Sequence, residues 1–223
     1  MTAQPISARS LLRETFATTG PLYAPLLIIN SPSLIFAAFN SFDKLGSAGV
    51  AFNLIYWLVV LPLLSGAMIF YTYRSLTRNQ VTVGQAFNQA NRRLLPLIGV
   101  YIMCFLLVLA GCIALIIPGL YVSYRLIFSL YATVIDNSSV IDSISSSWEL
   151  TKGRWWLVFR SYFLIILVAF VPIVLIVILI RSTGNLLVSK LVGNLLGFLA
   201  GALMNVYLVL LYRRLRESAA TIQ

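Results

Sequence analysis

The chain has 223 residues, of which 60% are hydrophobic and only 10% charged, with no histidine and a formal charge of +10. A soluble domain carries about 25% charged residues, and six apolar runs here are each long enough to cross ~30 Å of hydrocarbon as a helix. That leaves almost no chain for a soluble domain, and the absent histidine removes His-based triads, zinc–histidine sites and histidine proton shuttles.

In chain order the runs fall at roughly 21–40, 47–73, 95–117, 119–136, 155–181 and 186–212. They are longer than barrel strands and apolar on every face, so helices are expected. No cleavable signal pattern stands before Pro21, because Arg9, Arg13 and Glu14 interrupt the first twenty residues. The first run therefore reads as an uncleaved anchor.

Before the first, third and fifth runs sit short amphipathic segments. Ser7–Gly20 presents Ala8, Leu11, Leu12 and Phe16 on one stripe. In Thr82–Leu94, Val83, Ala86, Phe87, Ala90 and Leu94 share a face, and Thr82 with Gln85 forms a capping-box pattern. Ser139–Lys152 carries Ile141, Ile144 and Trp148, continued by Trp155, and opens on Ser139 and Asp142. The expected fold is an all-α polytopic membrane domain over 1–223. It would have six transmembrane helices in three repeats of an interfacial amphipathic helix plus a helical hairpin, at about 7–73, 82–136 and 139–212, with a basic tail at 213–223.

Charge placement sets the expected topology. Residues 1–20, 74–94, 137–160 and the tail carry twelve Lys and Arg, among them Arg74, Arg78, Arg92, Arg93, Lys152, Arg154 and Arg160. The alternate loops carry three, Lys44, Arg181 and Lys190. Cytoplasmic loops collect such residues, so both termini are placed in the cytoplasm of a bacterial inner or internal membrane. The expected partners are anionic phospholipid headgroups, met by Arg92, Arg93, Lys152 and Arg154, and other membrane proteins or a second copy; nucleic acid is not expected. Cys104 and Cys112 lie ~12 Å apart on one helix, too far for a disulfide.

Arg125 stands alone inside the fourth run, seven residues after Pro118 and Gly119, which places it ~10 Å inside the outer end. An ionisable group in hydrocarbon needs a reason. It serves either an anion or lipid-headgroup site, or an architectural contact with carbonyls freed by a proline. Asp136 is ~16 Å along the helix and no partner for it. The six carboxylates, Glu14, Asp43, Asp136, Asp142, Glu149 and Glu217, all fall in loops or at expected interfaces. No catalytic pair, metal set or cofactor motif emerges.

Two packing signals complete the reading. Ser189, Gly193, Gly197, Gly201 and Asn205 recur every four residues, a groove for a helix of the same chain or for a second copy, with Asn205 able to hydrogen-bond across it. The Asn30-Ser31-Pro32-Ser33 segment implies a proline kink or, as in transporters, a broken helix.

The stretch P-G-L-Y-V-S-Y-R-L-I-F followed by S-S-W-E-L-T-K-G-R-W-W resembles the membrane domain attached to some bacterial glycerophosphodiester phosphodiesterases and their stand-alone six-helix relatives, including YciC-like proteins. The resemblance rests on Pro118, Gly119, Arg125, Ser147, Trp148, Leu150, Gly153 and Trp156, with Glu149 inside the same motif. It implies a membrane module without the soluble catalytic barrel. The expected function is thus a non-catalytic module that binds lipids or membrane proteins, such as an accessory subunit of a larger membrane complex. A transporter or channel component with an anion path near Arg125 is the second reading, and a lipid-active enzyme the third.

Overall fold

A computed structural model describes residues 7–40, 46–77 and 80–220, and side chains outside 38–48. Asp43, Lys44 and Arg78 therefore lie outside the described residues. The described chain is predominantly helical: α1 (Ala8–Asn40), α2 (Gly46–Ile55), a π-helical turn (Tyr56–Val60), α3 (Leu61–Leu76), α4 (Val83–Arg92), α5 (Leu94–Ala114), α6 (Ile116–Leu126), α7 (Ser129–Ile135), α8 (Val140–Thr151), α9 (Trp155–Ser182) and α10 (Leu186–Ala220).

Among the described residues, five helical stretches are long and apolar enough to cross a membrane: Ala8–Ala37, Gly49–Leu76, Leu94–Ala114, Trp155–Ser182 and Leu186–Ala220. The fourth expected run is not among them, because it is not a single helix. It folds as α6 and α7, 11 and 7 residues long, broken at Ile127–Phe128. A helix can break inside a bundle only if the freed backbone groups find partners, and α8 supplies them. The break expected at Pro118–Gly119 moves as well. Leu115 is the extended residue between α5 and α6, and Pro118 sits in the first turn of α6, where its missing N–H costs nothing.

The first repeat unit also differs from expectation. Ser7–Gly20 is not a separate interfacial helix but the start of α1, which runs unbroken through Pro21, Pro25 and Pro32. Side-chain hydroxyls bond back along this helix. Thr15 and Thr19 donate to Leu11 O and Thr15 O, and Ser31 donates to Ile28 O, the carbonyl that Pro32 leaves unpaired. The Asn30–Ser33 segment is accordingly helical. The second and third amphipathic segments do form separate helices, α4 and α8, and Thr82 and Gln85 make both halves of the expected capping box.

The first turns of α1 and the last turns of α10 meet at one end of the bundle, where arginines tie the helices. Arg214 pairs with Glu14 at 3.0 Å. Arg213 donates to Leu76 O at the C-terminus of α3, and Arg154 donates to Leu215 O and Ser218 O near the end of α10. Cationic side chains suit helix C-termini, where carbonyls lack partners. The core lies where α1, α3, α7, α9 and α10 converge, around Leu26, Ile29, Ala67, Phe128, Val206, Tyr207 and Leu211. Outward faces of α5 and α9 carry Phe105, Leu109, Ile113, Leu175 and Leu179, as lipid-facing surfaces do.

The small-residue stripe of α10 divides its work within the chain. Ser189 donates to Val177 O of α9, and a Cβ on Gly193 would come 3.1 Å from Val177. Gly201 faces Asn30 of α1. Asn205 accepts a 2.7 Å hydrogen bond from Thr72 of α3. At Gly197 an added Cβ would meet nothing within 4 Å.

Candidate functional site

The helix break after Arg125 is built from α8 outward. Asp142 Oδ2 accepts from the Ser139 hydroxyl, and Ser139 Oγ caps the first turn by accepting from Asp142 N–H. Along α8, Ser143, Ser147 and Thr151 are buried, at a spacing of four, while Ile141 is 73% exposed and Trp148 is at the surface. The inward face is thus a hydroxyl stripe, and the apolar stripe expected from the sequence points largely outward. Ser143 accepts from Thr133 of α7 at 2.8 Å. Ser147 Oγ donates to Arg125 O at 2.7 Å and accepts from Phe128 N–H at 3.2 Å, bridging the gap. Thr151 also reaches Arg125 O, at 3.4 Å.

Arg125 is 3% exposed. Its guanidinium carbon lies 4.4 Å from the centre of the Trp148 ring and 5.7 Å from that of Tyr121, within cation–π range. Nε has no hydrogen-bond partner among the described residues. The side chain sits against α8, on the last turn of α6, which runs unbroken from Pro118 to Arg125. Tyr121 and Tyr124 continue the contact to Trp155, which packs with Trp156 and Phe159.

The other motif residues are architectural. A Cβ on Gly119 would fall 2.8 Å from Cys112 N and 2.9 Å from its Cα, so glycine lets α6 press its backbone on α5. Gly153 holds φ +69° in the α8–α9 link, a left-handed conformation that favours glycine. Glu149 pairs with Lys152 at 3.7 Å on the surface, a weak contact. Trp156 is exposed.

Of the four basic residues assigned to headgroups, Arg93 donates to Asn137 Oδ1, Arg154 caps α10, and Lys152 faces Glu149. Arg92 bonds Asn88 on its own helix and, with Arg74, borders an open cleft of about 430 Å³ lined also by Gln80, Gln85 and Gln89. No carboxylate lines this cleft among the described residues. Sequence reasoning missed a second cluster, in which Asp136 accepts from Tyr212 at 2.7 Å and pairs with Arg216. Beside it, Asn137 (φ 55°) receives both Gln89 and Arg93. An Asp-Asn pair ending a helix was the available signal, since Asn tolerates the left-handed region.

The model of the membrane domain of glycerophosphoryl diester phosphodiesterase matches residues 27–214, which includes the whole helix break, its α8 clamp and the α10 stripe. The chain belongs to this family. Comparison with curated proteins gives no match. Comparison with solved structures gives none either. Of the residues that carried the resemblance, Arg125, Ser147 and Trp148 come together, while Gly119 packs on α5 and Trp156 is exposed. The second expected site element does not join them: the cavity beside Asn30 is lined without Arg125.

Proposed function

We propose that this membrane domain is a non-catalytic integral module that holds anionic phospholipid headgroups at the end carrying both termini. The observation that carries this is the Arg74–Arg92 cleft. Four carboxylates are occupied by other cations, as Glu14–Arg214, Asp136–Arg216, Glu149–Lys152 and Glu217–Arg213. Arg74 and Arg92 have no carboxylate partner among the described residues and open onto one volume with amide donors at its rim. A phosphate diester fits such donors, and each cation near an anionic surface contributes about 1 kcal/mol. In this reading the chain crosses the membrane six times. The α6–α7 pair makes the fourth crossing, both termini are cytoplasmic, and the module acts beside other membrane proteins.

The test is native mass spectrometry from nanodiscs that contain phosphatidylglycerol and phosphatidylcholine. Wild type should retain phosphatidylglycerol preferentially, and Arg74→Gln with Arg92→Gln should lower that preference by about 5-fold per residue. An unchanged preference in the double variant would sink the proposal. Accessibility of a cysteine placed at Arg9 or Arg216, probed from each side, checks the orientation.

A further inference from the structure

A second, partly open cleft lies where α1, α3, α7, α9 and α10 meet. Its volume is about 320 Å³, within the range of small-molecule sites, and no charged residue lines it among the described residues. Five polar side chains do: Asn30, Ser65, Tyr131, Tyr162 and Asn205.

Their hydrogen-bond states decide what the cavity can read. Asn30 Oδ1 already accepts from Ser33, and Asn205 Oδ1 from Thr72. Each amide oxygen thus holds one bond, and both NH₂ groups remain without a partner among the described residues. Ser65 Oγ is engaged with Tyr101. The hydroxyls of Tyr131 and Tyr162 make no hydrogen bond among the described residues, although Tyr131 is only 5% exposed. Four side chains with a donor that holds no other bond among the described residues thus border one cleft.

We infer that this cavity is a binding site for an uncharged, lipid-soluble molecule that presents carbonyl oxygens to Asn30, Tyr131, Tyr162 and Asn205. A metal cation is disfavoured, because no carboxylate, thiolate or imidazole lines the cleft among the described residues. An anion is disfavoured, because no cation lines the wall and a bare charge in an apolar interior is strongly penalised. Met68, Met204 and Leu208 supply an adaptable apolar wall for the rest of the molecule. Two sources offer this chemistry, the ester carbonyls of a neutral diacylglycerol and the ring carbonyls of a quinone. The site does not depend on the headgroup cleft.

Detergent-purified protein is titrated separately with diacylglycerol and with ubiquinone and followed by native mass spectrometry. Saturable one-to-one binding of either molecule is the expected result, and the one that binds identifies the source. Tyr131→Phe with Tyr162→Phe removes two hydroxyls that make no hydrogen bonds within the described protein, so the fold is retained while affinity falls about 10-fold or more. Gly201→Leu, which fills the volume from α10, should abolish binding. Failure of both molecules to bind wild type, or equal affinity in the double Phe variant, overturns the inference.

Discussion

Replacing Ser147 by alanine removes a hydroxyl that serves both sides of the α6–α7 break. Its loss strands Phe128 N–H, whose bond is 3.2 Å, and weakens the pairing of Arg125 O, whose bond is 2.7 Å. A buried polar group left unsatisfied costs about 1–3 kcal/mol. The carbonyl keeps Thr151 at 3.4 Å as a poor substitute, so the expected total is about 2 kcal/mol, dominated by the stranded N–H. The assay is reversible unfolding in mixed micelles followed by tryptophan fluorescence, since Trp148 and Trp155 border the break. That cost is about 30-fold in the unfolding equilibrium. Ser145→Ala, on the exposed face of α8, should be neutral. Thr151→Ala should cost more in the Ser147→Ala background than alone, because it then holds the only remaining hydroxyl on that carbonyl. If Ser147→Ala matches Ser145→Ala within about 0.5 kcal/mol, a typical spread for neutral surface changes, the clamp is not what holds the break.

Gly119→Ala should destabilise the α5–α6 hairpin by about 1–3 kcal/mol, since the clash is with the backbone of Cys112, whereas Gly197→Ala should be neutral in the same unfolding assay. Arg125→Leu should fold and insert normally, because an apolar replacement of a buried charge is often neutral or better. A double-mutant cycle of Arg125→Leu with Trp148→Leu should return a coupling near ~1–2 kcal/mol for the stacked pair, and a value near zero would mean the ring contact contributes nothing. Thr72→Val should cost about 1 kcal/mol or less through its bond to Asn205.

The helical membrane class, the α4 capping box and the partnering of Asn205 are legible in the sequence because they depend on period, composition and local spacing. The fate of the fourth run is not. Ile127 and Phe128 carry no proline or glycine signal, and the backbone breaks there only because Ser147, nineteen residues beyond Phe128, satisfies it. The same long-range chemistry sets which face of α8 is buried, which its apolar stripe does not show. A Ser/Thr stripe at 143, 147 and 151 is polar, yet it is the buried face. The first amphipathic segment misleads for the opposite reason: Pro21 and Pro25 look like breaks, but threonine hydroxyls donating back along α1 accompany a helix that stays continuous. Arg125 stands out in the sequence as unusual, but its ring contact with Trp148, twenty-three residues on, does not.

The break also links the family motif to the cleft beside Asn30. Ser147 clamps it from α8, while Ile127, Leu130 and Tyr131, at and just beyond the break, line the cavity on the other side. An unbroken helix through 116–135 would turn these side chains away from their present faces, because each residue lost from the helical count rotates the downstream side chains by about 100°. The motif thus acts on the cavity through backbone geometry, without contacting anything inside it. Ser147→Ala should therefore weaken binding of the carbonyl ligand along with stability, whereas Tyr131→Phe should weaken binding alone. If Ser147→Ala lowers stability and leaves affinity untouched, the clamp and the cavity are independent devices.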